Sequence, residues 1–239
     1  MSLSKVNAII HQSQDKLAAI LRTKVSESGI AQSQYIRFLS MQYHLTKHAY
    51  WYFTVAASHA SISRKKILRN FLIQFAREEE LHYLVAGKDI LSIGGEILSE
   101  PIDVTLWHAF FQKVVLERPF ERLGAACVLE NISGGQVKPQ VKRLLSTPFL
   151  NRDNTRFIII HQHEKIPHGE QILKIFKEID MNAQELEDLN KGAEIGACLY
   201  LRMIDWSMSF EECEKKESIT ANEKNEVESF SITQIEHDY

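Results

Sequence analysis

Glycine and proline are scarce in this chain, at 10 and 5 of 239 residues. So few turn formers argue against a fold of many short strands and favour long helices. Cysteine is scarcer still. Cys127, Cys198 and Cys213 stand far apart with no metal-type pairing. An odd count at such spacing excludes a disulfide framework and fits a reducing cytosol. No uninterrupted apolar run reaches the roughly 18 residues that a membrane helix needs. The N-terminus has no basic start followed by an apolar core and a small-residue cleavage site. The chain therefore reads as a cytoplasmic protein with no membrane partner. Excess charge is missing too: the formal net charge is −3, which gives no reason to expect nucleic acid or an acidic surface as partner.

What is present is an ordinary globular composition, 44% hydrophobic and 25% charged, arranged at helical period. Val6, Ile9, Ile10, Leu17, Ile20 and Leu21 form an amphipathic stripe over about 3–26, broken at Gly29. An aromatic-rich helix is predicted over about 31–59 and another over about 63–93, ended by Gly94-Gly95. Further helices follow over about 103–117, 119–134, 137–146, 151–179 and 183–215, the second of these opened by Pro119 at its first turn. The fold class is all-α, with one helical domain over 1–215 and an acidic, partly disordered tail over 216–239. From Glu211 onward nine acidic residues against three lysines give −6, which leaves +3 on the rest.

Three segments carry chemistry. His161-Gln-His-Glu-Lys-Ile-Pro-His168 packs three imidazoles and a carboxylate into one stretch, and helical spacing puts His161, Glu164 and His168 on a common face. His163 points elsewhere, and Pro167 predicts a kink. Upstream, Glu79 and His82 stand three residues apart at the end of the stripe Leu68, Leu72 and Phe75, with Glu78 as an alternate. Such a pair on a core-facing helix can chelate one ion, although a triple glutamate also suits a solvated face. Glu130 is the third element, a carboxylate within the small and apolar run from Leu123 to Ile132. Buried there, it needs a cation, a donor or a proton. Two or three carboxylates with two or three histidines make an iron or manganese ligand set, and no cysteine nearby suggests structural zinc. Tyr43 and His44, on the aromatic helix, are candidates for the wall of a substrate pocket.

These segments resemble the haem-oxygenase-like helical superfamily, which includes TenA thiaminases, PqqC-type oxidases and the haem-oxygenase-like di-iron oxidases. The likeness covers roughly 30–210, and the iron-containing branch is the nearest. Phe75-Ala-Arg-Glu-Glu-Glu-Leu-His-Tyr83 is similar to its Glu-Glu-x-x-His helix and Gly124-Ala-Ala-Cys-Val-Leu-Glu-Asn131 to its glutamate helix. His161 to His168 resembles its His-x-x-x-Asp-x-x-His helix. The resemblance implies a single helical bundle in which Glu79, His82, Glu130, His161 and His168 bind one or two irons. It implies an oxidoreductase that turns dioxygen on a small buried substrate. Lys165 stands where that branch has Asp. Glu164 is then the substitute ligand, or the chain holds one metal or none. The TenA branch implies the alternative, an aminopyrimidine hydrolase with Cys127 as nucleophile, or a metal-free small-molecule-binding protein of the same fold. A homodimer or larger assembly is expected from the prevalence of symmetric association.

Overall fold

A computed structural model describes residues 3–161, 168–209 and 219–232. Among them the chain is all-α, without a strand, and an isolated bridge joins Ser26 to Gly29. The helices are α1 (Ser4–Lys24), α2 (Gln32–Thr46), α3 (Ala49–Ser58), α4 (Ala60–Ser63), α5 (Lys66–Glu79), α6 (His82–Ser92) and α7 (Ile102–Glu117). They continue as α8 (Pro119–Asn131), α9 (Val137–Leu145), α10 (Arg156–Ile160), α11 (His168–Glu178), α12 (Ala183–Ser207) and α13 (Ala221–Ser229). No helix among the described residues is long and apolar enough to cross a membrane.

Helix α8 is the centre of the bundle, packed against α1, α3, α7, α11 and α12. Its closest neighbour is α12, and small residues set that approach. A Cβ at Gly192 would fall 1.6 Å from the Glu121 carbonyl oxygen, and one at Gly124 would fall 2.0 Å from that of Leu189. Side chains that small let backbones touch, so α8 runs buried along nearly its whole length from Pro119 to Val128. Its own Phe120 and, on the helices around it, Tyr52, Trp107 and Phe111 are fully buried. Each such side chain contributes about 2–3 kcal/mol of transfer free energy before entropy is charged against it.

Three expected long helices are each divided. The first breaks at Lys47-His48, between α2 and α3. The second is α5 and α6, parted at Glu80-Leu81 without proline or glycine. The third is α10 and α11, and 162–167 lie outside the described residues. Residues 219–232 include α13, whose capping box joins Thr220 and Glu223. Val227 fits against Gly87 of α6, Lys47 pairs with Glu223 at 2.6 Å and the Tyr83 hydroxyl donates to Glu226 at 2.6 Å. A docked apolar residue and paired charges hold this stretch on the bundle.

Candidate metal centre

The apolar stripe of α5 delivers its last turn to the interior. Leu68, Leu72 and Phe75 are buried, and one turn further Glu79 is buried with them. The helix lapses immediately after Glu79, and α6 restarts at His82. His82 is fully buried, and its Nδ1–H donates to Glu79 Oε2 across the break at 2.9 Å. From α10, His161 brings its ring to 5.0 Å from that of His82. The His161 Nδ1–H donates to the Phe157 carbonyl at 2.6 Å, which fixes the tautomer and leaves Nε2 as the basic nitrogen. Phe157 itself is held by Asp89 of α6, whose Oδ2 accepts from the Phe157 amide at 2.8 Å. Asp89 therefore anchors the short helix that carries His161.

The first residue of α11 supplies the other side. His168 Nε2–H donates to Glu78 Oε2 at 3.1 Å, and its Nδ1 lies 3.1 Å from Glu79 Oε1 and 3.8 Å from Glu130 Oε2. The ring stands edge-on to Phe75 at 4.5 Å. Its backbone is tied down as well: the Asn131 amide donates to the Gly169 carbonyl at 3.1 Å. The result is two ligand groups with one member in common. Donor atoms of Glu79, His82 and His161 lie within 4.8 Å of one another, and so do those of Glu79, Glu130 and His168. Ligands at 2.0–2.2 Å from one ion stand at most about 4.4 Å apart, so each set needs only small adjustments to close on a metal.

Charge in this pocket is lopsided. Burial alone would strip the proton from His168, but its hydrogen bonds to Glu78 and Glu79 and the field of Glu130 outweigh that and push its pKa up to about 11. Glu79 feels the same burial in the opposite sense, and the nearby His82 and His168 hold its carboxyl well below the usual range. His161 lacks such support; burial and the neighbouring His82 push it down to about 4, so it is neutral. Carboxylate and imidazole donors without thiolate suit iron or manganese. Glu79 Oε1 bears on the fit, being a buried oxygen whose neighbour is His168 Nδ1 at 3.1 Å, so that only a proton or another cation between the two satisfies both. A cation between the two groups would satisfy it.

Glu79, His82, Glu130, His161 and His168, all expected as ligands, thus converge. Glu164, His163, Lys165 and Pro167 lie outside the described residues. Tyr43 and His44, expected on a pocket wall, turn to other partners. The Tyr43 ring packs on Tyr83 at 5.4 Å near α13, and His44 Nε2 bonds the Leu98 carbonyl at 2.8 Å. Cys127 is fully buried, and burial pushes its thiol up, so it sits as packing with no thiolate to offer. Three contributors escaped notice in the sequence: Glu78 as the partner orienting His168, Asp89 and Asn131. Asp89 had a signal, being seven residues after His82 and so on the same face of α6.

No family model matches the sequence, and no curated protein matches it. One solved structure aligns well, a domain of unknown function with a heme oxygenase-like fold from Shewanella denitrificans, with a TM-score of 0.75 over 87% of this chain and 92% of that one. Identity between the two is 20%, so the likeness speaks to architecture alone. The chain adopts the heme oxygenase-like helical fold.

Proposed function

We propose that this protein is a non-haem iron oxidoreductase that uses dioxygen on a small buried organic substrate. The observation that carries the reading is the sharing of Glu79 between two buried carboxylate and histidine groups. A carboxylate has two oxygens, so one residue can serve two ions, with His82 and His161 on one side and Glu130 and His168 on the other. Iron bound there supplies redox chemistry with dioxygen; manganese is the alternative ion. The chain's own part is positional. Glu78 and the Phe157 carbonyl aim the two imidazoles, Phe75 and Phe157 pack against their rings, and Asp89 and Asn131 anchor the segments that carry them. The aminopyrimidine hydrolase alternative asks for an accessible Cys127 thiolate, which deep burial opposes.

The test is metal content after expression in iron-supplemented medium. Iron retained through purification, and lost from Glu130→Ala and His168→Ala variants that keep the helical spectrum, supports the reading. Protein that takes up no iron, manganese or zinc under these conditions sinks it.

A further inference from the structure

Helix α7 is apolar on two opposite sides. Val104, Trp107, Phe111, Val114 and Val115 are buried on the core side, as a bundle helix requires. The outer side carries Ile102, Leu106 and Leu116, which are 70%, 52% and 59% exposed and are the barest large apolar side chains among the described residues. Ala109 and Lys113 are exposed between them, so the row runs 102, 106, 109, 113, 116 in steps of four, three, four and three. That spacing is the seam of a helix pair, and a helix that is apolar all round is ordinarily covered all round.

Two features make a second copy of α7 the matching cover. The first is symmetry about Ala109, with Ile102 and Leu116 seven residues to either side. A two-fold axis through Ala109 and perpendicular to the helix runs the two copies antiparallel and sets Ile102 against Leu116. The second is charge. Asp103, Leu106, Phe110, Lys113 and Glu117 form one edge of the seam at the same spacing, and this axis lays that edge along the same edge of the other copy. Lys113 pairs with Glu117 at 3.9 Å, and Asp103 pairs with the exposed Arg202 of α12 at 3.1 Å. In the antiparallel register Lys113 comes level with Thr105 and Glu117 with Pro101, which centres the first pair on Asp103 of the other copy. Lysine then meets aspartate and glutamate meets arginine, and symmetry repeats the match.

We propose that the protein is a dimer in which α7 of one copy packs antiparallel on α7 of the other, about a two-fold axis at Ala109. The three bare side chains leave on the order of 300 Å² in water, and with Phe110 and the stems of Lys113 and Arg202 the face approaches the roughly 500 Å² per copy that a specific contact needs. The contact involves none of the metal ligands, so it stands or falls apart from the function proposed above.

The experiment is sedimentation equilibrium of the full chain, where a dimer is expected at about 50 μM protein. Ile102→Glu and Leu116→Lys each put a charge against an apolar side chain of the other copy and should raise the dissociation constant at least about tenfold. Combined in one chain, the two substitutions face each other across the axis and should restore most of the affinity. Both positions are exposed in the single chain, so the helical spectrum should be unchanged. Ala109→Cys, in a chain also carrying Cys198→Ser and Cys213→Ser, should form a disulfide-linked dimer on mild oxidation, because the axis brings that residue to its own copy. Thr105→Cys in the same background should not. A wild-type monomer at 50 μM overturns the proposal and leaves the face to a different partner. Single variants that still dimerise, a combined variant no tighter than the single ones, or equal cross-linking from positions 105 and 109 each overturn it as well.

Discussion

Replacing Asp89 by asparagine should change how stability depends on pH, in a direction set by its surroundings. Asp89 is fully buried on α6, where Oδ2 accepts the Phe157 amide and Oδ1 has no hydrogen-bond partner. Burial raises its pKa from 3.8 to about 7, against the pull of the Phe157 and Arg156 amides. That difference corresponds to roughly 4 kcal/mol against the ionised form in the folded state. Between about pH 4 and pH 7 the folded protein keeps a proton that the unfolded chain has released. Stability must then fall as pH rises through this window, with no contribution to the slope below or above it. In a chain of this size the full effect is about 10 °C in Tm. Asp89→Asn retains an acceptor for Phe157 and cannot ionise, so the wild type should lose stability relative to it from about pH 4 to pH 7. Thermal unfolding of both proteins across that range reads the difference directly, with the other titrating groups cancelling. A Tm difference that is flat with pH would refute the reasoning and mean that the buried carboxyl ionises at its ordinary value.

Metal stoichiometry should separate the two ligand groups. His161→Ala is expected to keep one ion of two and Glu79→Ala to keep neither, measured by elemental analysis of dialysed protein. At the α8–α12 contact, Gly192→Ala places a methyl where the Glu121 carbonyl already sits. The variant should lose about 3 kcal/mol or more, or fail to accumulate as soluble protein, as seen by denaturant unfolding. Thiol labelling followed by peptide mapping should modify the exposed Cys198 at once and Cys127 only after unfolding; rapid labelling of Cys127 in the native protein would reopen the nucleophile reading.

The convergence of these side chains was legible in the sequence because helical spacing is rigid. Leu68, Leu72 and Phe75 mark the buried face of α5, and Glu79 continues it at the next i+4 step, so its inward aim follows from period alone. Glu130 was visible for a different reason, as the one carboxylate in an apolar run. What remained hidden depends on contacts between helices. The stop of α5 at Glu79 and the restart of α6 at His82 are announced by no glycine or proline. The pairing of Asp89 with α10 requires knowing that two segments 68 residues apart lie together. The docking of α13 was masked by charge: Val227 and Phe230 are two apolar anchors among acids. The Thr220 to Glu223 capping box was the available clue.

The way Glu78, Glu79 and Glu130 gather around His168 implies that metal uptake is coupled to a proton. Carboxylates in so dry a place need positive charge nearby, and a proton on His168 meets that need. Its Nε2–H is held by Glu78, so the nitrogen available to an ion is Nδ1, which faces Glu79 and Glu130. With the pKa at about 11, Nδ1 carries its proton at any ordinary pH, and the ion must displace it. His161, neutral above about pH 4, adds no proton to the count. Metal affinity of the Glu130 group should therefore rise about tenfold per pH unit across the neutral range. Loading the protein in weak buffer should release a proton per chain, read with an indicator dye. His168→Asn should abolish the release. A wild-type protein that takes up its ions without acidifying the solution would show that His168 is not held as the imidazolium and that the three carboxylates find their cation elsewhere.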